Sequence, residues 1–139
     1  MDVTELIGAT TDAWNRRDRA AYLSLYSEDC QITAPGFTGK GHDAVALLWE
    51  GNMTAFPDNR VEVLRVVGGN GSAVEESVIT GTHTGPLVQP DGSQLPPTGR
   101  RGSVPLVVVH DERDGRLVAS RLYYDQLDLL AQLGLVPGR

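Results

Sequence analysis

The chain has 139 residues, enough for one domain with a core of its own, and its hydrophobic (40%) and charged (22%) fractions are those of a globular protein, not a disordered one. Twelve Lys+Arg against 18 Asp+Glu give a net charge of -6, which argues against nucleic acid or an anionic membrane as partner, since both select a basic patch. No apolar run approaches the roughly 20 residues of a spanning helix, and the lone Cys30 can form neither an internal disulfide nor a zinc site by itself.

The N-terminal segment MDVTELIGAT lacks a basic stretch followed by an apolar one, so no secretory signal is expected and a cytoplasmic location is. Val3, Leu6, Ile7, Thr10, Ala13 and Trp14 recur at three- and four-residue spacing and predict an amphipathic helix. Asp18 is a good N-cap for a second, shorter helix carrying Ala21, Tyr22, Leu25 and Tyr26. A short strand is expected over 31–34, closed by Pro35-Gly36. A third helix bears Val45, Leu48, Trp49, Met53 and Phe56 and stops at Pro57.

The second half changes period. The β-branched run 60–67 predicts a strand, and Gly68-Gly69-Asn70-Gly71 a hairpin turn into a long strand over 73–84. Residues 85–99 hold four prolines and no periodicity, so a loop of 15 residues is expected there, either functional or mobile. The next strand, 100–110, contains Pro105, which implies a sheet edge or a bulge. A turn over 111–115 leads to a last strand, 117–124, and a short helix over 125–133. Helices gathered ahead of hairpin-linked strands indicate an α+β fold: a single domain, 1–139, with a curved antiparallel or mixed sheet wrapped around the N-terminal helices as a cone, its mouth a natural small-molecule pocket.

The sequence carries no GxGxxG, GxxxxGK[ST] or GxSxG motif, so nucleotide and hydrolase-triad chemistry have no anchor. Cys30 follows Glu28-Asp29, whose negative charge raises a thiol pKa; a buried, inert cysteine is expected. His42, His83 and His110 lack tight metal-ligand spacing, and no metal is expected. The candidates left are carboxylates and histidines on the strands. Asp125 directly follows the apolar strand, and alternation would put it on one face with Tyr123 and Arg121. A carboxylate among aromatic rings loses solvation and rises toward neutrality, the tuning an acid/base catalyst needs. The alternative role for Asp125 is the N-cap of the last helix. His83, beside the long loop, would donate a hydrogen bond to a substrate carbonyl or pair with the backbone. His110 would end its strand in a solvated turn. Arg121 would neutralise a carboxylate of protein or ligand. Trp14, Trp49 and Phe56, on helical stripes, read first as core and second as a platform for a ligand.

Taken in order, Trp14-Asn15 with Arg17-Asp18, Tyr26-Ser27-Glu28-Asp29-Cys30, Gly39-Lys40-Gly41-His42-Asp43-Ala44, Phe56-Pro57-Asp58, Thr80-Gly81-Thr82-His83-Thr84-Gly85, Pro97-Thr98-Gly99-Arg100 and Tyr123-Tyr124-Asp125 with Gln132-Leu133-Gly134-Leu135 resemble the SnoaL-like polyketide cyclases of the nuclear transport factor 2-like superfold. The resemblance implies the cone-shaped α+β barrel and cofactor-free closure of an aromatic polyketide ring by intramolecular aldol condensation. It also implies a small-molecule polyketide as partner and assembly into a homodimer or homotetramer. The general acid/base of the family corresponds to Asp125, with His110 the match to an assisting strand histidine. Tyr123, Arg121, Trp49, Phe56 and Trp14 would contact substrate. Ser77 stands where relatives often carry tryptophan. Two other readings are a cofactor-independent polyketide hydroxylase on the same scaffold and a non-catalytic binder of a small ligand. An epoxide-opening enzyme would ask for more than Arg121 and Asp125.

Overall fold

The computed structural model describes residues 1–137. Helix α1 (Val3–Asn15) is opened by a reciprocal capping box between Asp2 and Glu5, and it buries the six residues of the predicted stripe. Asp18 caps α2 (Arg19–Ser24) by accepting from the Ala21 N–H at 3.0 Å. The turn between them holds Arg17 at φ 62°, an uncommon conformation for a non-glycine residue. From there its guanidinium donates to the carbonyls of Trp14, Pro57 and Asn59, tying this corner to the exit of the third helix.

The first strand is longer than the sequence suggests. β1 spans Tyr26–Ala34, so Tyr26-Ser27-Glu28-Asp29-Cys30 is strand and not the end of α2. Its polar run has no clear alternation because the register with its neighbour shifts between Tyr26 and Gln31. A further strand, β2 (Phe37–Lys40), pairs back on β1 through Pro35-Gly36, with Gly36 at φ 72°. α3 (Gly41–Ala55) follows, ending at Phe56 before Pro57.

β3 (Arg60–Gly69) and β4 (Ser72–Thr82) form the predicted hairpin around Asn70-Gly71, both at positive φ, as a two-residue turn matched to strand twist demands. Residues 85–99 are not a structureless loop. They contain a small hairpin, β5 (Leu87–Val88) with β6 (Gln94–Leu95), whose two-residue strands are too short to show a period. β7 (Arg101–Arg113) and β8 (Arg116–Tyr123) turn at Asp114-Gly115, so 111–113 belong to the strand. α4 (Gln126–Gln132) completes the described elements.

The six long strands form one sheet in the order β2-β1-β8-β7-β4-β3. All its pairs are antiparallel except β1 with β8, which is parallel and brings the two ends of the chain together. Pro105 pairs with Val78 on β4. On its other side β8 begins pairing only at Val107, so the missing N–H falls where no strand asks for it. Helices α1 to α3 cover the concave face, and Val3, Leu6, Ile7, Trp14, Ile32, Val45, Trp49 and Leu117 form the core beneath them. No helix among the described residues is long and apolar enough to cross a membrane.

Candidate active site

Along β7 the inward side chains alternate as Gly102, Val104, Leu106, Val108 and His110, all buried. Along β4 the buried residues are Ala73, Glu75, Ser77 and Gly81. Antiparallel pairing sets Ala73 opposite His110 and Glu75 opposite Val108, so Glu75 and His110 are diagonal neighbours on one face. On the other side of β7, Ser120 lies directly opposite His110.

These registers assemble a buried polar cluster. His110 Nε2 lies 2.9 Å from Glu75 Oε1, and its Nδ1 lies 2.8 Å from the Ser120 hydroxyl. The Ser77 hydroxyl donates to the second Glu75 oxygen at 2.5 Å. Ser120 is also 3.3 Å from the Tyr26 hydroxyl. Glu75 is 5% exposed and His110 3%, while both serines are fully buried. Burial lifts the hydroxyl pKa values of Tyr22 and Tyr26 above the ordinary phenol range.

The pair faces an apolar cavity under the helices, with Trp14, Phe56, Val104, Leu106, Val108 and Leu122 among its walls. Its volume of about 130 Å³ is close to that of cavities that admit a single aromatic ring. Glu75 is the one carboxylate and His110 the one imidazole among the described lining residues, which include no Lys or Arg. Asn59, also lining, is already occupied: it accepts from Trp14 Nε1–H at 2.6 Å and donates to the Phe56 carbonyl at 2.8 Å. A carboxylate hydrogen-bonded to an imidazole at the edge of a mostly apolar chamber is an arrangement suited to taking a proton from carbon and returning it to oxygen.

The sequence candidates fall in several places. His110 lines the cavity, and its strand runs on past it, so it is buried rather than in a solvated turn. Trp14 and Phe56 line the cavity too, but Trp49 does not. It is packed in the core at right-angle-like contacts with Trp14, ring centres 5.2 Å apart. His83 is fully buried beside Phe56 and lines no part of the cavity. Its Nδ1 accepts from the Thr98 N–H at 3.2 Å, and burial lowers its pKa. Because Ser120 and Leu122 face inward on β8, Arg121 and Tyr123 stand on the sheet's other face. There Arg121 pairs with Asp111 at 2.9 Å and holds its carboxyl below the ordinary value, while Tyr123 is 54% exposed. Neither is placed to contact a ligand in the cavity. Asp125 is just past the end of β8, exposed like Tyr123. It caps α4 by accepting from the Asp128 N–H at 2.9 Å, while its neighbour Tyr124 lines the cavity and Asp125 does not. Cys30 is fully buried, and burial with the nearby Asp29 raises its thiol pKa.

Glu75 is the residue that sequence reasoning missed. The signal was present: in Ala73-Val74-Glu75-Glu76-Ser77, period-two alternation puts one glutamate on each face, and the small residues at 73 and 77 leave room for the inner one.

No curated protein sequence matches the chain. Among solved structures, AclR from Streptomyces galilaeus, described as "a putative hydroxylase", superposes with a TM-score of 0.81 at 28% identity, over 96% of this chain and 85% of that one. IdmH from Streptomyces antibioticus, described as "a putative polyketide cyclase", gives 0.77 at 26% identity, over 94% and 97%. A SnoaL-like protein from Jannaschia sp. CCS1 gives 0.84 at 21% identity, over 96% and 92%, a likeness of fold. The family model for SnoaL-like polyketide cyclases matches residues 4–133, nearly the whole chain, and the protein belongs to that family.

Proposed function

We propose that the protein is a cofactor-free polyketide cyclase that closes a ring by intramolecular aldol condensation, with the Glu75–His110 pair as its acid/base. The observation that carries this reading is the pair itself, a carboxylate and an imidazole 2.9 Å apart on the wall of a mostly apolar cavity. The Glu75 carboxylate takes a proton from a substrate carbon flanked by electron-withdrawing groups, at a lone pair used by neither Ser77 nor His110. The enolate attacks an internal carbonyl, one C–C bond forms, and the new alkoxide takes the proton back. The product is an isomer and the pair is restored. Conjugation in the substrate acidifies the carbon, so a positioned carboxylate suffices, and the cavity adds shape and exclusion of water. A substrate of several rings would enter with one ring enclosed and the others toward the opening.

Asp125, to which the family resemblance gives the acid/base role, is the rival for it. Glu75→Gln and Asp125→Asn separate the two. Screened by mass spectrometry against aromatic polyketide precursors of one to four rings, Glu75→Gln is expected to lower turnover by about 10²–10⁴-fold. Near-parental turnover in Glu75→Gln with loss in Asp125→Asn would transfer the role to Asp125.

The likeness to AclR supports a second reading, a cofactor-independent hydroxylase using the same cavity. The same screen decides: a product of unchanged mass is a cyclisation, and a gain of one oxygen with oxygen consumption is a hydroxylation. Ligand binding with no product of either kind would point to a binder.

A further inference from the structure

Two buried hydroxyls are bonded to the Glu75–His110 pair, and they are not equivalent. Ser77 faces a carboxylate oxygen at 2.5 Å, and against an ionised carboxylate it can only donate. Ser120 lies between two groups that can each accept or donate, His110 Nδ1 at 2.8 Å and the Tyr26 hydroxyl at 3.3 Å. With Nε2 2.9 Å from Glu75, an ionised Glu75 requires Nε2 to carry a hydrogen. In the neutral ring Nδ1 is then a bare acceptor, and Ser120 must donate to it. In the imidazolium Nδ1 carries a hydrogen as well, and Ser120 must accept. Its own hydrogen is released, and the Tyr26 oxygen is within reach to receive it. A hydroxyl makes that change by rotating about one bond, with no heavy atom moving in a close-packed core.

We propose that Ser120 is a positioning residue whose hydroxyl reverses direction when the His110 imidazole takes up a proton, Tyr26 receiving its hydrogen bond while the ring is protonated. The catalytic meaning of this relay rests on the acid/base reading of the pair, but the reversal itself needs no substrate. The relay lets the buried pair hold either proton count without stranding a donor or an acceptor, the condition for cycling inside an apolar chamber. The other titratable groups around the ring are Glu75 from β4, Tyr26 and Cys30 from β1, Tyr22 from α2, and Asp111, next in β7 on the other face and neutralised by Arg121. Ser120 is bonded directly to the ring, and Glu75 is its other partner.

The test is the titration of the His110 ring nitrogens by ¹⁵N NMR on the full chain, with no ligand, in the parent, Ser120→Ala and Tyr26→Phe. Ser120→Ala removes one atom from a fully buried site, and a melting curve verifies that it folds. It leaves the imidazolium N–H without an acceptor, so the titration midpoint is expected at lower pH by about one unit, tenfold in proton affinity. Tyr26→Phe leaves that acceptor but removes the partner for the Ser120 hydrogen, so its midpoint moves the same way by less. In both variants the neutral ring keeps its hydrogen on Nε2, and the pH–kcat profile moves with the ring; in Ser120→Ala, at a residue that lines no part of the cavity, KM does not move. A Ser120→Ala titration that coincides with the parent's overturns the proposal, as does a Tyr26→Phe shift larger than that of Ser120→Ala. Absence of turnover on every polyketide tested counts against the proposed function alone, because the ring titration is read without substrate.

Discussion

Glu75 and His110 are both under a tenth exposed, where an ionised carboxylate with no partner would cost several kcal/mol. What holds them is the complete set of bonds: His110 and Ser77 on the carboxylate, Ser120 on the ring. Truncation and isosteric exchange therefore have different consequences. Glu75→Ala strands the imidazole and the Ser77 hydroxyl and is expected to destabilise by about 3–5 kcal/mol. Glu75→Gln keeps an acceptor for His110 and is expected to cost about 1 kcal/mol. Urea unfolding of the two variants gives both values, and equal losses would show that shape rather than bonding dominates. Ser77 has its place in the same accounting. A tryptophan at 77 could not sit beside Glu75 in this fully buried position, so the serine and the inner glutamate belong together. Sequence alternation contained that information but could not reveal the partner. Whether Glu75 or Glu76 faces inward depends on a register with β7 fixed some thirty residues later.

At the scale of elements, the pieces whose chemistry is local were legible. The stripe of α1, the caps at Asp18 and Asp125 and the Asn70-Gly71 turn each follow from residues adjacent to them. The pieces set by distant partners were not. Tyr26–Cys30 runs in the strand because Tyr26 and Gln31, on either side of a register shift, pair in parallel with β8, and nothing in its polar composition announces that. Asp125 shows both sides. Its side chain bonds the Asp128 N–H, so removing it should loosen α4, while asparagine caps equally well. Asp125→Ala is expected to cost about 1 kcal/mol in thermal unfolding, and Asp125→Asn less, since the cap bond is kept. A turnover loss confined to Asp125→Ala would then report on helix α4, which carries Leu129 of the cavity wall. A loss already complete in Asp125→Asn would report on the carboxylate.

At the scale of the whole molecule, the polar cluster on the cavity wall exists because one curved sheet gathers Tyr26 from its first strand, Glu75 from the middle and Ser120 from the last. No local pattern contains that gathering, which is why the fold class could be expected from element order while the Glu75–His110 pair could not. The same closure governs how acid acts on the molecule. Burial holds His83 below its ordinary value of 6.5, and hydrogen bonds from Thr82 and Arg121 hold Asp58 and Asp111 below 3.8. A pKa lower in the folded than in the unfolded chain means the unfolded chain binds the proton more readily. Stability from such a group is present above the unfolded value and is lost as pH falls through the folded one. The melting temperature is therefore expected to fall in two windows, the first opening near pH 6.5 as the unfolded chain protonates His83, the second below about pH 4 as Asp58 and Asp111 follow. His83→Asn keeps a side-chain acceptor for the Thr98 N–H but cannot titrate, so it should flatten the upper window and leave the lower one in place. An upper window that persists unchanged in His83→Asn would show that another group, not His83, makes the fold sensitive near neutral pH.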